Sequence, residues 1–310
     1  MQLATETWSV VATVRASHSL CDLFACHYLA LGARQVFLFH DDPEMAFSVQ
    51  RDGVQNTVCD ERWWQSGRPE ALEKRQVYNA TQAKNECSTD WILHCDVDEL
   101  IWSEQAVSEV LGALPGIVGG VRVRTAEAVY DSVPERDRMF DTPYFKIFYR
   151  KGRGKAYGDI SQRAYGGIWE ASNHGFWGHP IGKSFIRVRA PVGRMPLHAK
   201  RRSEIAGFRM HEVSEQMILR HYDTLSPELW KEKHLRRING DVATPLAGKF
   251  RQRQQKLIAE AALAGETALE QLYLKMATLP PDVLAECIAS GFVRVIPPEP
   301  HLLKHAPPTA

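Results

Sequence analysis

The strongest constraint on the fold lies in residues 10–42, where two short apolar runs flank a stretch of helical period. Val10 to Val14 is β-branched and apolar, closes on Arg15, and gives way to the polar turn Ala16-Ser17-His18-Ser19. From Leu20 the period changes: Leu20, Leu23, Phe24, His27 and Leu31 recur at helical spacing. Ser19 followed by Asp22 resembles a capping box, and Gly32 is a natural helix stop. A second run, Val36 to Phe39, breaks at His40-Asp41-Asp42-Pro43. Strand, helix and strand within about thirty residues form a βαβ unit, which implies a parallel sheet whose ligand edge lies at the strands' C-terminal ends. Those ends carry Thr13, Arg15, Asp41 and Asp42.

The chain is long enough for one large domain or two modest ones. Lys and Arg number 38 against 37 Asp and Glu, a formal charge of +1, which argues against a nucleic-acid binder. No run approaches the ~20 apolar residues that cross a bilayer. The N-terminus lacks a basic segment ahead of an apolar one, so it does not read as a secretory signal. The six Cys are scattered and suggest no disulfide framework. The expected location is cytoplasmic, with peripheral membrane association left open.

Further on, a strand ending at Val58 precedes Trp63-Trp64 and a helix opening at Pro69. Gln76 and Asn79 share a face of that helix with Leu72 and Ala83. Polar side chains on an inner face need partners, either neighbouring backbone or a ligand. Val118–Val123 and Tyr144–Tyr149 read as strands. The dense Gly, Trp and Phe between about 150 and 200 suggest shaped loops over a site. Ser226-Pro227-Glu228 is a helix start, and residues 249–277 keep a helical period.

The sharpest chemical feature is WILHC-DVDEL. An apolar strand delivers Asp96 and Asp98 two residues apart, so in an extended chain both carboxylates point one way and Val97 the other. Two hard oxygen donors so placed suit Mg2+ or Mn2+. The competing reading is a solvated acidic turn.

Taken in order, V-V-A-T-V-R, H-Y-L-A-L-G-A-R-Q-V-F-L-F-H-D-D, R-Q-V-Y-N-A and D-W-I-L-H-C-D-V-D-E-L resemble the glycosyltransferase family 2-like group, related to family 92, with its D-x-D-E signature. G-K-S-F-I-R at 182–187, followed by His198, and H-Y-D-T-L-S-P-E-L-W-K-E-K at 221–233 extend the similarity over about residues 8–240. The resemblance implies an α/β GT-A (Rossmann-like) domain over 1–225, with a helical extension over 226–310 packed on it. It implies an enzyme that transfers a sugar from a nucleotide-sugar donor to a glycan or other hydroxyl acceptor, with inversion. Surface glycan synthesis and dependence on Mn2+ or Mg2+ are part of the same implication. Thr13, Arg15 and Asp41 would surround the nucleotide, and Gln76 and Asn79 would face the donor. Asp96 would meet the ribose or the metal, and Asp98 would ligate the metal. His221, or His198, would be a third ligand or a phosphate contact. Lys183 and Lys233 would neutralise the diphosphate. The group's Asn-Glu after the first strand is Ala16-Ser17 here, and the basic residue of its T-K-S is Leu225, which leaves the donor open.

Inversion needs a carboxylate to deprotonate the acceptor hydroxyl. Glu170 is the candidate, with Glu127 and Asp131 behind it. Gly182-Lys183-Ser184 is no P-loop, because the required upstream glycine is Trp177. Cys21, Cys26 and His27 lie on the first helix and read as core. The remaining alternatives are a nucleotide- or sugar-binding protein on the same frame and, further off, a metal-dependent phosphatase.

Overall fold

β-Branched and aromatic runs alternate with helical stretches along the first half of the chain, and the computed structural model folds them accordingly. It describes residues 5–135, 139–148, 154–198, 203–210, 212–240 and 249–303. In chain order the elements begin β1 (Trp8–Val14), α1 (His18–Ala30), β2 (Gln35–His40), β3 (Val54–Val58), α2 (Leu72–Glu86) and β4 (Trp91–His94). They continue with β5 (Glu99–Ser103), α3 (Val107–Gly112), β6 (Gly120–Ala128), β7 (Tyr144–Ile147), α4 (Gly154–Tyr165) and β8 (Lys183–Arg187). Then come β9 (Ser203–Ile205), β10 (Phe208–Met210), β11 (Glu212–His221), α5 (Pro227–Ile238) and α6 (Lys249–Ala264). The last are α7 (Glu266–Ala277), α8 (Pro281–Ala289), β12 (Val293–Val295) and α9 (Pro300–Leu303).

Two units divide the chain: residues 1–125 with 181–219, and residues 126–180 with 220–310. In the first, β3, β2, β1 and β4 lie side by side and parallel, and β8 joins β4 antiparallel. Residues Gly120–Val123 of β6 then pair antiparallel with β8. Val11, Phe37, Phe39 and Ile92 pack against Ala80 and Ala83 of α2. Their neighbours Val10, Val36, Leu38 and Leu93 point the other way and are equally buried. A sheet covered on both faces needs near-continuous apolar strands, which is what these sequences supply. This mixed α/β, Rossmann-like architecture is the class expected of a GT-A frame.

α1 begins one residue after Ser17, whose hydroxyl accepts a hydrogen bond from Leu20 N at 3.3 Å. The cap is therefore Ser17 rather than Ser19, and Asp22 is engaged instead in a two-pronged ion pair with Arg51 (2.6 and 2.7 Å).

In the second unit, β12 and residues 126–128 of β6 flank β7 antiparallel. Helix α4 forms where loops were expected. Its buried residues Tyr157, Ile160, Ser161 and Tyr165 keep helical spacing, which Gly154 and Gly158 had obscured in the sequence. α5 is capped by Ser226, whose hydroxyl accepts from Leu229 N, with Pro227 at the first helical position. Among the described residues, no helix is long and apolar enough to cross a membrane.

Candidate functional site

The parallel strands of the first unit present their C-terminal ends together, and the acidic run follows β4. Asp96-Val97-Asp98-Glu99 forms a turn closed by Glu99 N donating to Asp96 O at 3.0 Å. The Glu99 carboxylate returns the bond, accepting from Asp96 N at 2.9 Å. Lys183, the first residue of β8, donates to Asp96 Oδ2 at 2.9 Å and stands 3.2 Å from Glu99 Oε2. Gln76 of α2 donates to Asp96 Oδ1 at 2.8 Å. Two segments distant from the turn in sequence thus converge on its Asp96 carboxylate.

Charge follows geometry. Burial alone would raise the Asp96 carboxyl, but the Lys183 ammonium wins and holds it well below the usual carboxylate range. Burial would likewise lower Lys183, and Asp96 with Glu99 holds it well above its ordinary value instead. His94, enclosed at the end of β4, is pushed down to about 3 by burial and then by Lys183, so its ring is neutral. Asp98 is half-buried on the turn.

Asp41, at the end of β2, is buried under two guanidinium groups. Arg75 Nε and Nη2 reach its two oxygens at 2.7 and 2.9 Å, and Arg68 Nη2 reaches Oδ2 at 3.1 Å. Arg75 also donates to the carbonyls of Pro69 and Glu70 (2.9 and 2.5 Å), fixing the chain that carries Arg68. Asn79 donates to Thr13 Oγ1 at 3.0 Å and accepts from Trp63 Nε1 at 2.9 Å. Arg15 lies 3.3 Å from Asp42 and is 44% exposed. The cations that face outward along this edge are therefore Arg15 and Arg68, while Asp41 and Asn79 hold the edge together.

The second unit has its own polar centre. Lys233 donates to Asp223 Oδ1 at 2.8 Å, and His221 Nε2 stands 3.7 Å from the same oxygen. Burial opposes the Asp223 charge, but Lys233 and then His221 hold its carboxyl well below the usual range. Glu127 is enclosed, 2.6 Å from Lys146, and accepts from the amides of Trp177 and Gly178. Gly178 admits no side chain: a Cβ there would lie 2.5 Å from His221 Cε1 and 3.0 Å from Glu127 Oε2. Glu170 lies outside this centre, 73% exposed, on a short 3-10 segment and 3.3 Å from Arg253.

The sequence-derived residues thus fall into groups. Thr13 joins Asn79, Gln76 and Lys183 join Asp96, and His221 and Lys233 join Asp223. Glu99, Arg68, Arg75 and Asp223 had no assigned role in the sequence. Glu99, Asp223 and Arg75 stand inside quoted motifs, which was the available signal; Arg68 had none.

The fold defines a Rossmann-like α/β class with a charged strand-end site. No protein-family model matches the chain, and no curated protein does. Among solved structures it is similar to HddC from Yersinia pseudotuberculosis, at 7% identity and a TM-score of 0.35, over 73% of this chain and 97% of that one. It is also similar to an active-site mutant of LgtC, at 11% identity and a TM-score of 0.26, over 58% of this chain and 57% of that one. At these scores the likeness does not reach individual residues.

Proposed function

We propose that the chain is a metal-dependent glycosyltransferase that moves a sugar from a nucleotide-sugar donor to a hydroxyl acceptor, with inversion. The observation that carries the reading is the acidic turn at the end of β4: Asp96 is kept ionised and aimed by Lys183 and Gln76, and Asp98 follows it on the same turn. A carboxylate held by an ammonium and an amide is preorganised, which suits a site that must meet a ribose or a cation without rearranging.

Carboxylate donors fit Mn2+ or Mg2+, and Asp98 and Asp96 are the proposed ligands. Asp98 is the principal one, because Asp96 already satisfies a lysine. When bound, the cation would offset the charge of a departing nucleoside diphosphate. The chain's own residues do the rest. Arg15 and Arg68 offer outward guanidinium groups to the nucleotide along the β1–β2 edge, and Asp41 orients Arg68. Thr13 and Asn79 brace that edge. Lys183 is enclosed and acts through Asp96, whereas Lys233 sets Asp223 beside His221. Glu170 is the proposed base, and an acceptor hydroxyl would replace Arg253 beside it.

The test is a panel of nucleotide sugars read by thermal shift with and without Mn2+, since a ligand that binds only the native state raises its apparent stability. At least one donor is expected to stabilise the chain only with the metal, and Asp98→Ala to remove that response while leaving far-UV circular dichroism unchanged. A native protein that ignores the whole panel, or an Asp98→Ala variant that responds like the native chain, would overturn the reading.

A further inference from the structure

Two neighbouring stripes of α2, Glu73-Val77-Thr81 and Lys74-Tyr78-Gln82, line a groove of about 440 Å³ that Pro69 and the Gly193–Arg194 loop complete. Residues 73 to 82 span about 13 Å of helix, so the groove is long in one direction. Its wall is apolar even where its residues are not. Thr81 spends its hydroxyl inward, donating to Val77 O at 2.6 Å and accepting from Met195 N at 3.1 Å, which also ties the loop to the helix. Glu73 Oε2 is shut off from solvent. Tyr78 is braced by Trp63 and Trp64, with ring centroids 5.7 and 5.3 Å away, so it offers a fixed aromatic surface. Val77, Pro69 and the aliphatic stems of Lys74 and Arg194 supply the rest.

The charge lies at the rim. Lys74 and Arg194 are exposed and make no ion pair among the described residues. α2 opens at Ala71 without a side-chain cap, so the positive end of the helix is also unanswered beside Lys74. Arg194 belongs to a stretch, residues 188–209, with six Lys and Arg against one acid. We infer that this face docks on an anionic phospholipid bilayer, with one acyl chain in the groove and the lipid phosphate at Lys74 and Arg194. A soluble sugar or nucleotide would find almost no polar atoms along the wall, and a neutral lipid would leave the rim unanswered. The acyl chain passes from one apolar surrounding to another, while the exposed wall of the groove leaves water. Basic residues beside a negative leaflet add to that hold. The inference goes beyond the sugar-transfer reading and does not depend on it.

The experiment is cosedimentation of the full-length protein with vesicles of phosphatidylcholine alone and of an equal mixture with phosphatidylglycerol. The mixed vesicles are expected to bind at least about tenfold more tightly, and raising salt from about 0.1 M to about 0.5 M should weaken that binding severalfold. Lys74→Ala/Arg194→Ala, a surface double variant, should weaken it at least about threefold. Val77→Asp sets a charge on the half-buried wall and should do the same, with far-UV circular dichroism unchanged. Equal binding of both vesicles or binding of neither would overturn the inference, as would a double variant indistinguishable from the native protein. A Val77→Asp variant that binds like the native protein would leave only a basic surface and overturn the groove's part. Calorimetric binding of monomeric dodecyl phosphate without vesicle binding would overturn the bilayer as the partner. The nucleotide panel is run on the same variants. Vesicle binding without any nucleotide response removes the transfer reading and keeps this site, and the reverse pattern removes this site alone.

Discussion

Lys183 is 1% exposed, and an enclosed ammonium is tolerable only because Asp96 and Glu99 meet it. Replacing it by Met leaves Glu99 buried without its cation. Breaking a buried pair costs about 3–5 kcal/mol, and because the Asp96 side chain is 36% exposed and can rehydrate, Lys183→Met should fall at the lower end, about 3 kcal/mol, in urea unfolding at neutral pH. The pH dependence has a definite sign. Asp96 has a depressed folded pKa, so its contribution is present above the unfolded value of about 3.9 and is lost as pH falls through the folded one. Lys183 has a raised folded pKa, so its contribution is complete below about 10.4 and is lost as pH rises through the folded value. The pair therefore supports a plateau between those limits. In Lys183→Met the plateau should drop and the loss of stability on the acid side should become shallower, because the folded Asp96 pKa returns toward the unfolded one; an unchanged acid limb would mean that the contact is not made in solution. Asp96 was legible in the sequence because a strand and its terminal acid are adjacent letters. Lys183 lies 87 positions away, and its partner is chosen by the β4–β8 pairing, which no local pattern encodes.

The same pairing depends on a glycine at the element scale. Gly182 has φ +83°, and a Cβ there would fall 2.0 Å from the carbonyl oxygen of Val123, which is opposite Lys183 in the β6–β8 ladder. Backbone cannot yield as a flexible side chain can. Gly182→Ala should therefore cost at least about 2 kcal/mol from conformation and overlap together, and it should remove hydrogen-exchange protection at the amides of Lys183–Ile186. Retained protection there would show that the strand accommodates a side chain. This glycine opens a Gly-Lys-Ser string that lacks the upstream glycine of a phosphate cradle, and its structural work is close strand approach. Local elements were readable where their signals were local. The β1–α1–β2 unit follows from periodicity, and α5 follows from Ser226-Pro227. α4 was not, because two glycines interrupt an otherwise amphipathic stretch, and the start of α1 was misplaced by two residues because Ser17 and Ser19 are equally good caps by composition.

At the scale of the whole molecule, the second unit is assembled from stretches that sequence order separates. Tyr130 exchanges backbone bonds with the end of α7: its amide donates to Ala277 O and its carbonyl accepts from Leu279 N, both at 2.9 Å. Trp177 Nε1 donates to Met276 O at 2.9 Å, and Arg251 donates to Trp177 O at 2.9 Å. β12 covers one side of β7. Removing residues 226–310 would strip all of these from residues 126–180 at once. What remains for β7 is a ladder of only a few residues with 126–128 of β6, and so short a pairing, stripped of its outer strand and its cover, opens readily. The enclosed Lys146 would lose the second-unit packing around Trp177 that shuts out solvent. Among the described residues, β1, β2 and β4, by contrast, pair only with strands that end before residue 188. A chain ending at residue 225 should therefore exchange amide hydrogens in 144–147 and 176–178 at rates near those of unfolded peptide while keeping protection in β1, β2 and β4. Full protection in 144–147 of that fragment would show instead that residues 126–180 carry a core of their own.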